Sequence, residues 1–197
     1  MNGAVIPYRP ARARSEATAW LGMVLFLGSW AMMFASLFFA YGMVRMRALA
    51  WPPEGVPRLP LLLPGLNTLV IGASSWSLQR GLEGARTGKL ERVPGAVGAC
   101  LLLGCTFVVL QFLLWTGLWQ AGLSVSSGGS YGSVFYAMTF VHAAHVAVGI
   151  AALGWLFRRA LQGAHNPGRH LALRLWTAYW HFVGAVWLLL FVTLFVL

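Results

Sequence analysis

The sequence contains no aspartate, and its only carboxylates are Glu16, Glu54, Glu83 and Glu91. Charged residues make up 9% of the chain, against about 25% in a soluble domain. That scarcity argues against a water-soluble globule and makes the bilayer the solvent to reason from. Cysteine is also scarce. Cys100 and Cys105 fit neither a CxxC motif nor a zinc knuckle, and they read as small buried apolar residues. There is no Gly-rich phosphate loop, no nucleophile–base pair and no pair of carboxylates. The chain alone therefore lacks the groups for catalysis. It also lacks the inverted repeats of a transporter.

What is present is apolar: 59% of the residues are hydrophobic. A spanning helix needs about 20 such residues at a rise of 1.5 Å each. Four stretches free of Asp, Glu, Lys and Arg qualify: 17–44, 59–79, 93–157 and 175–197. The third is broken by the turn-rich Gly122-Leu123-Ser124-Val125-Ser126-Ser127-Gly128-Gly129-Ser130. The first follows Arg9, Arg12 and Arg14 but is longer than the apolar region of a signal peptide, about 7–15 residues, so it reads as a retained span. The expectation is an all-α integral membrane bundle of five transmembrane helices, at about 17–46, 60–80, 93–121, 131–159 and 172–197. A basic cytoplasmic tail, 1–15, precedes a single domain, 16–197. The linkers agree. Trp51-Pro52-Pro53-Glu54-Gly55-Val56-Pro57 cannot be a helix interior, 80–92 is charged and glycine-rich, and 158–174 contains Asn166-Pro167-Gly168.

The net charge of +10 comes from 14 Lys and Arg. They cluster between apolar runs, which points to topology and anionic headgroups and not to nucleic acid. With the N-terminus inside, only Arg45, Arg47 and Arg58 face out. The positive-inside rule then places the N-terminus in the cytoplasm and the C-terminus in the periplasm.

Ionisable groups inside a span are costly and mark partners or function. His142 and His145 share a helix face, beside Ala143, Ala147 and Ala151, whose spacing suits close helix contact. His181 sits in the last span within Tyr179-Trp180-His181-Phe182-Val183. Counted from the inner span ends, His145 is about 18 Å deep and His181 about 9 Å. Axial haem ligation would need two facing imidazoles at one depth. A metal site would need three or four ligands, and proton transfer would need acids that the spans lack. The packing alternative is interhelical hydrogen bonding. Asn67, Thr68, Ser74, Ser75 and Ser77, with Thr106, Gln111 and Thr116, read as interhelical polar contacts. Trp20, Trp51, Trp119, Tyr131 and Trp176 lie near span ends and read as interface belts.

Five segments in order resemble one family. They are Leu21-Gly22-Met23-Val24-Leu25-Phe26-Leu27; Leu63-Pro64-Gly65-Leu66-Asn67-Thr68-Leu69 with Ser74-Ser75; Gly104 with Gln111; Tyr131-Gly132-Ser133-Val134-Phe135-Tyr136 through His142, His145-Val146 and Gly149; and Tyr179-Trp180-His181-Phe182-Val183 with Val186-Trp187-Leu188. Over residues 16–197 the chain resembles subunit III of the haem–copper oxidases, in its five-helix form. The resemblance implies a non-catalytic accessory subunit with no metal or cofactor of its own. Haem and copper are expected in partner catalytic subunits, with subunit I (and subunit II) in one membrane complex and bound phospholipid as a further ligand. It implies support of assembly, stability and proton uptake during O2 reduction, in a bacterial inner membrane. Cytochrome c oxidase is the reading, with an accessory subunit of a quinol oxidase or nitric oxide reductase as alternatives. A stand-alone membrane haem-binding or transport protein is the alternative of another class. His142, His145, His181, Asn67, Gln111 and Arg174 are the candidate structural or lipid-contact residues.

The sequence departs from the family pattern at three acids. Trp30, Leu114 and Gly184 stand where the resemblance places a Glu, a Glu and an Asp. Their joint loss implies that a local polar network has been dismantled, and it puts a carboxylate-dependent proton antenna in doubt. The two extra N-terminal helices usual in the family are also absent, so the lipid cleft they help form is either missing or completed by another chain.

Overall fold

A computed structural model of the chain describes residues 11–51, 53, 59–125, 128–162 and 170–197. Residues 1–10, most of 52–58, Ser126-Ser127 and the segment 163–169 with Asn166-Pro167-Gly168 lie outside the described residues. Arg9, Arg58 and Arg169 lie there as well.

Among the described residues five helices follow one another: α1 Ala11–Arg47, α2 Leu62–Arg86, α3 Arg92–Gln120, α4 Gly129–Leu161 and α5 Leu171–Phe191. A π-helical turn, Val192–Val196, ends the chain. No strand occurs among the described residues. Among the described residues four segments, Arg14–Arg47, Arg92–Gln120, Gly129–Leu161 and Leu171–Val196, are long and apolar enough to cross a membrane. α2 is more polar because it carries Asn67, Thr68, Ser74, Ser75, Ser77 and Gln79. It also runs on through Arg80 to Arg86, beyond the end expected from charge alone.

Between α2 and α3 the chain reverses sharply. Gly88 takes φ +78°, a conformation that glycine adopts without a Cβ clash, and the Lys89 N–H donates to the Gly84 carbonyl at 2.9 Å. α2, α3, α4 and α5 form a ring in which sequence neighbours pack together and α5 returns to α2. α1 lies outside, against α4 and α5. Named contacts fix the directions. Trp30 and Phe34 of α1 meet His145 and His142 of α4, so α1 and α4 run antiparallel. Trp180 and Trp187 of α5 reach Ser74 and Thr68 of α2, also antiparallel. α1 and α5 run parallel, joined at one end by Arg174 over Trp20. At the other end Tyr41 donates to the Thr193 carbonyl at 3.0 Å, and Arg45 bonds the Leu197 carbonyl. These donors satisfy carbonyls at the π-helical end of α5.

This topology sorts the charge. Arg14, Arg80, Arg86, Lys89, Arg92, Arg158, Arg159 and Arg174 belong to one end of the bundle, and Arg45 and Arg47 to the other.

Candidate functional site: the polar seam of helix 5

Consecutive helical residues point about 100° apart. In α5 this rotation spreads three neighbours over two helices. The Tyr179 hydroxyl donates to the His145 carbonyl of α4 at 2.9 Å. The Trp180 indole N–H donates to Ser74 Oγ of α2 at 2.9 Å. His181 Nε2 donates to Gln79 Oε1, also of α2, at 3.3 Å. Two turns on, the Trp187 N–H donates to Thr68 Oγ1 at 3.1 Å. The polar side of α2 is therefore where α5 finds acceptors, and this explains how so polar a helix fits in the ring.

Trp180 is fully buried and also touches α3 and α4. A Cβ on Gly104 would stand 2.9 Å from its ring, and one on Gly149 would stand 2.8 Å from it. The small residues that permit close approach are thus Gly104 and Gly149. The expected alanine stripe does not play this part: Ala147 and Ala151 face outward, and Ala143 is only half-buried. On α4 the buried face runs through His142, His145, Gly149, Leu153 and Leu156, and the alanines sit to one side of it.

The three histidines do not converge on one another. His142 is buried among Phe34, Phe107 and Trp187, with ring centroids at 6.3, 6.0 and 5.7 Å. Neither of its ring nitrogens has a hydrogen-bond partner among the described residues. His145 bonds within its own helix, Nδ1 donating to the Val141 carbonyl at 2.6 Å, and its Nε2 is unpartnered among the described residues. The Trp30 ring stands edge-on to it, centroids 3.7 Å apart. His181 is exposed on the bundle surface. Of His142, His145 and His181, it is His181 whose imidazole makes an interhelical hydrogen bond among the described residues. Gln79 extends that contact, because its Nε2 donates to Glu83 Oε1 at 3.1 Å. Sequence reasoning missed this link. Its signal was the i, i+4 spacing of Gln79 and Glu83.

Asn67 and Gln111 meet across α2 and α3, with Asn67 Nδ2 donating to Gln111 Oε1 at 3.4 Å. Both are buried, and Asn67 Oδ1 and Gln111 Nε2 find no partner among the described residues. Ser77 also crosses between helices, donating to the Ala96 carbonyl at 3.0 Å. Thr106 and Thr116 do not cross: each hydroxyl donates to a carbonyl of α3 itself. Arg174 is exposed, its guanidinium 4.4 Å above the Trp20 ring. Cys100 is buried but Cys105 is exposed, and both thiols are free, so only one of the two is a core residue. Tyr131, expected in an interface belt, packs inward against Trp51 at 4.8 Å.

The three positions where acids were expected are accounted for differently. Trp30 fills the space beside His145 with an indole. Leu114 is buried in α3. At Gly184 a Cβ would lie 3.4 Å from Ser75 Oγ and 3.7 Å from Ile71, so the backbone there faces the polar side of α2. Among the described residues no three His, Cys, Asp or Glu side chains group as metal ligands. The seam is a set of single interhelical hydrogen bonds around one indole.

Residues 14–197 match the cytochrome c oxidase subunit III family. The chain belongs to that family. It is 33% identical over 177 residues to cytochrome c oxidase subunit 3 of Synechocystis sp., covering 89% of this chain and 74% of the relative. It is 36% identical over 176 residues to the probable cytochrome c oxidase subunit 3 of Nocardia farcinica, covering 89% and 86%. With the subunit 3 of Loxodonta africana it shares 33% identity, covering 88% and 67%. The chain is therefore a multi-pass membrane protein and an accessory subunit of a haem–copper oxidase, working in a complex with other oxidase subunits. For a subunit III, an uncommitted outer face on α1 and a consolidated seam around Trp180 fit a scaffold for another chain's chemistry.

Proposed function

We propose that this chain is the five-span subunit III of a cytochrome c oxidase, packed against subunit I beside subunit II. It supports assembly, lifetime and proton uptake of the catalytic subunit, which carries the haems and copper. All five helices span a bacterial inner membrane, with the N-terminus in the cytoplasm and the C-terminus in the periplasm. α2 has 25 residues, about 37 Å of helix, against a hydrocarbon core of about 30 Å. The polar groups of α2 turn toward α3 and α5, which removes the objection to its crossing lipid. The cations gathered at the end formed by the α2–α3 turn favour that end as the cytoplasmic one. Arg174 over Trp20 at the same end suits contact with a phospholipid headgroup.

The observation that carries the reading is the seam itself. Helix 5 commits Tyr179 and Trp180 to bonds with α4 and α2, while one side of the bundle, α1, stays apolar and uncovered. Affinity capture of the tagged chain from native membranes tests it. A haem–copper catalytic subunit and its haem spectrum should come with the chain. Capture without one, or a Soret band on the chain alone that His181→Ala abolishes, would sink the proposal.

A further inference from the structure

The ends of α2 and α3 enclose a cleft of about 730 Å³ that the seam does not use. Its floor includes Gly84 and Ala96, where the helices pack closely: a Cβ on Gly84 would stand 3.2 Å from the Lys89 carbonyl, and one on the neighbouring Gly81 would stand 2.9 Å from Ala96 Cβ. Its walls carry Arg80 from α2, Lys89 from the turn and Arg92 from the start of α3. The one carboxylate lining it, Glu83, is bonded along α2 to Gln79. Among the described residues none of the three cations is paired with a carboxylate. We propose that this cleft binds the headgroup of an anionic phospholipid, with Arg80, Lys89 and Arg92 around its phosphate and Trp76 against its glycerol and acyl region.

Three observations select this ligand. The excess of cations over carboxylate gives a field that attracts a phosphodiester, and two guanidinium forks match its oxygens. One cation is held ready: Arg80 lies 3.7 Å over the Trp76 ring, so its guanidinium loses little ordering entropy on binding. Trp76 is largely exposed at the lip of the cleft, on the apolar side of Arg80, where an interfacial indole borders acyl chains. A soluble anion would use the cations and leave that indole face uncovered. Basic notches between the ends of spanning helices recognise anionic headgroups in this way. The site deepens the lipid-contact part of the proposed function, and it needs no oxidase subunit.

The test uses the full chain in nanodiscs of phosphatidylcholine with a minor fraction of phosphatidylglycerol, released for native mass spectrometry. The wild-type chain should retain phosphatidylglycerol out of proportion to its bulk share. Arg80→Gln, Lys89→Gln and Arg92→Gln should each lower that enrichment about fivefold. Arg47→Gln at the opposite end should leave it unchanged. On the wild-type chain, added salt should lower the enrichment, whereas inorganic phosphate matched in ionic strength should lower it no further. Equal retention of the two lipids, indifference to salt or to the three substitutions, or displacement by phosphate beyond the salt effect would overturn the proposal. Because no catalytic subunit takes part, failure here is separate from failure of the capture experiment.

Discussion

The six-membered ring of Trp180 lies where a side chain at Gly149 would have to go: a Cβ there would stand 2.8 Å from it. Gly104 presses on the same indole from α3, and Ser74 of α2 accepts its N–H. One residue of α5 therefore sets the spacing of three other helices. Adding a methyl at either glycine forces the indole to move within a packed centre. Gly149→Ala and Gly104→Ala should each lower unfolding stability in mixed micelles by about 1–3 kcal/mol. Ser74→Ala keeps the packing and removes one hydrogen bond, so it should lose about 0.6–1.7 kcal/mol. A loss at Ser74 larger than at both glycines would show that the hydrogen bond, and not the ring's shape, holds the centre.

Gly184 supplies the contrast on the same helix. A Cβ there meets Ser75 Oγ at 3.4 Å, an ordinary contact, and nothing closer. Glycine in a helix interior is less favourable than alanine by about 0.5–1 kcal/mol. Gly184→Ala should raise stability by about that amount, measured in the same micelles. A decrease would mean that α5 and α2 approach more closely than this geometry allows.

The helices and their order were legible because charge is costly in lipid and therefore marks the ends of apolar runs. Even the polar α2 was located by its lack of charge between Arg58 and Arg80. How each helix is rotated about its axis was not legible. In a bilayer the outer face is as apolar as the core: Leu25 and Leu102 are largely exposed while Leu78 is fully buried, all three being leucine. The alanine stripe on α4 and Cys105 on α3 were misplaced for that reason. His142, His145 and His181 could be assigned to helices 4 and 5 from sequence, but their different surroundings depend on those rotations. Asn67 and Gln111 were found, since a buried amide in a span needs a partner whichever way its helix turns.

His142 allows a test that separates packing from polarity. Its imidazole fills space among three aromatic rings and makes no hydrogen bond with the described residues. Replacing a buried, unpartnered polar ring with an apolar ring of similar shape is close to neutral. His142→Phe should therefore change stability by less than about 1 kcal/mol, whereas His142→Ala leaves a cavity and should cost about 2–4 kcal/mol. In the assembled oxidase both variants should retain the wild-type haem spectrum, and His142→Ala should shorten turnover lifetime. A stability loss in His142→Phe as large as in His142→Ala would reveal that the nitrogens are bonded in the complex.

Trp30 and His145 make the last prediction, because the family resemblance places an acid at position 30. His145 Nδ1 is committed to Val141, Nε2 is unpartnered among the described residues, and the Trp30 ring stands at 86° to the imidazole. A carboxyl in place of the indole would offer that nitrogen an acceptor from α1. Trp30→Glu should then be tolerated better with His145 present than in a His145→Ala background. The double-mutant cycle should show a favourable coupling of about 0.6–1.7 kcal/mol, the range of interhelical hydrogen bonds in membranes. That result would mean that this chain has kept the imidazole half of an acid–histidine contact and covered it with an aromatic ring. A coupling indistinguishable from zero would show that Trp30 has taken over the position outright, with α1 and α4 now held at this level by ring packing alone.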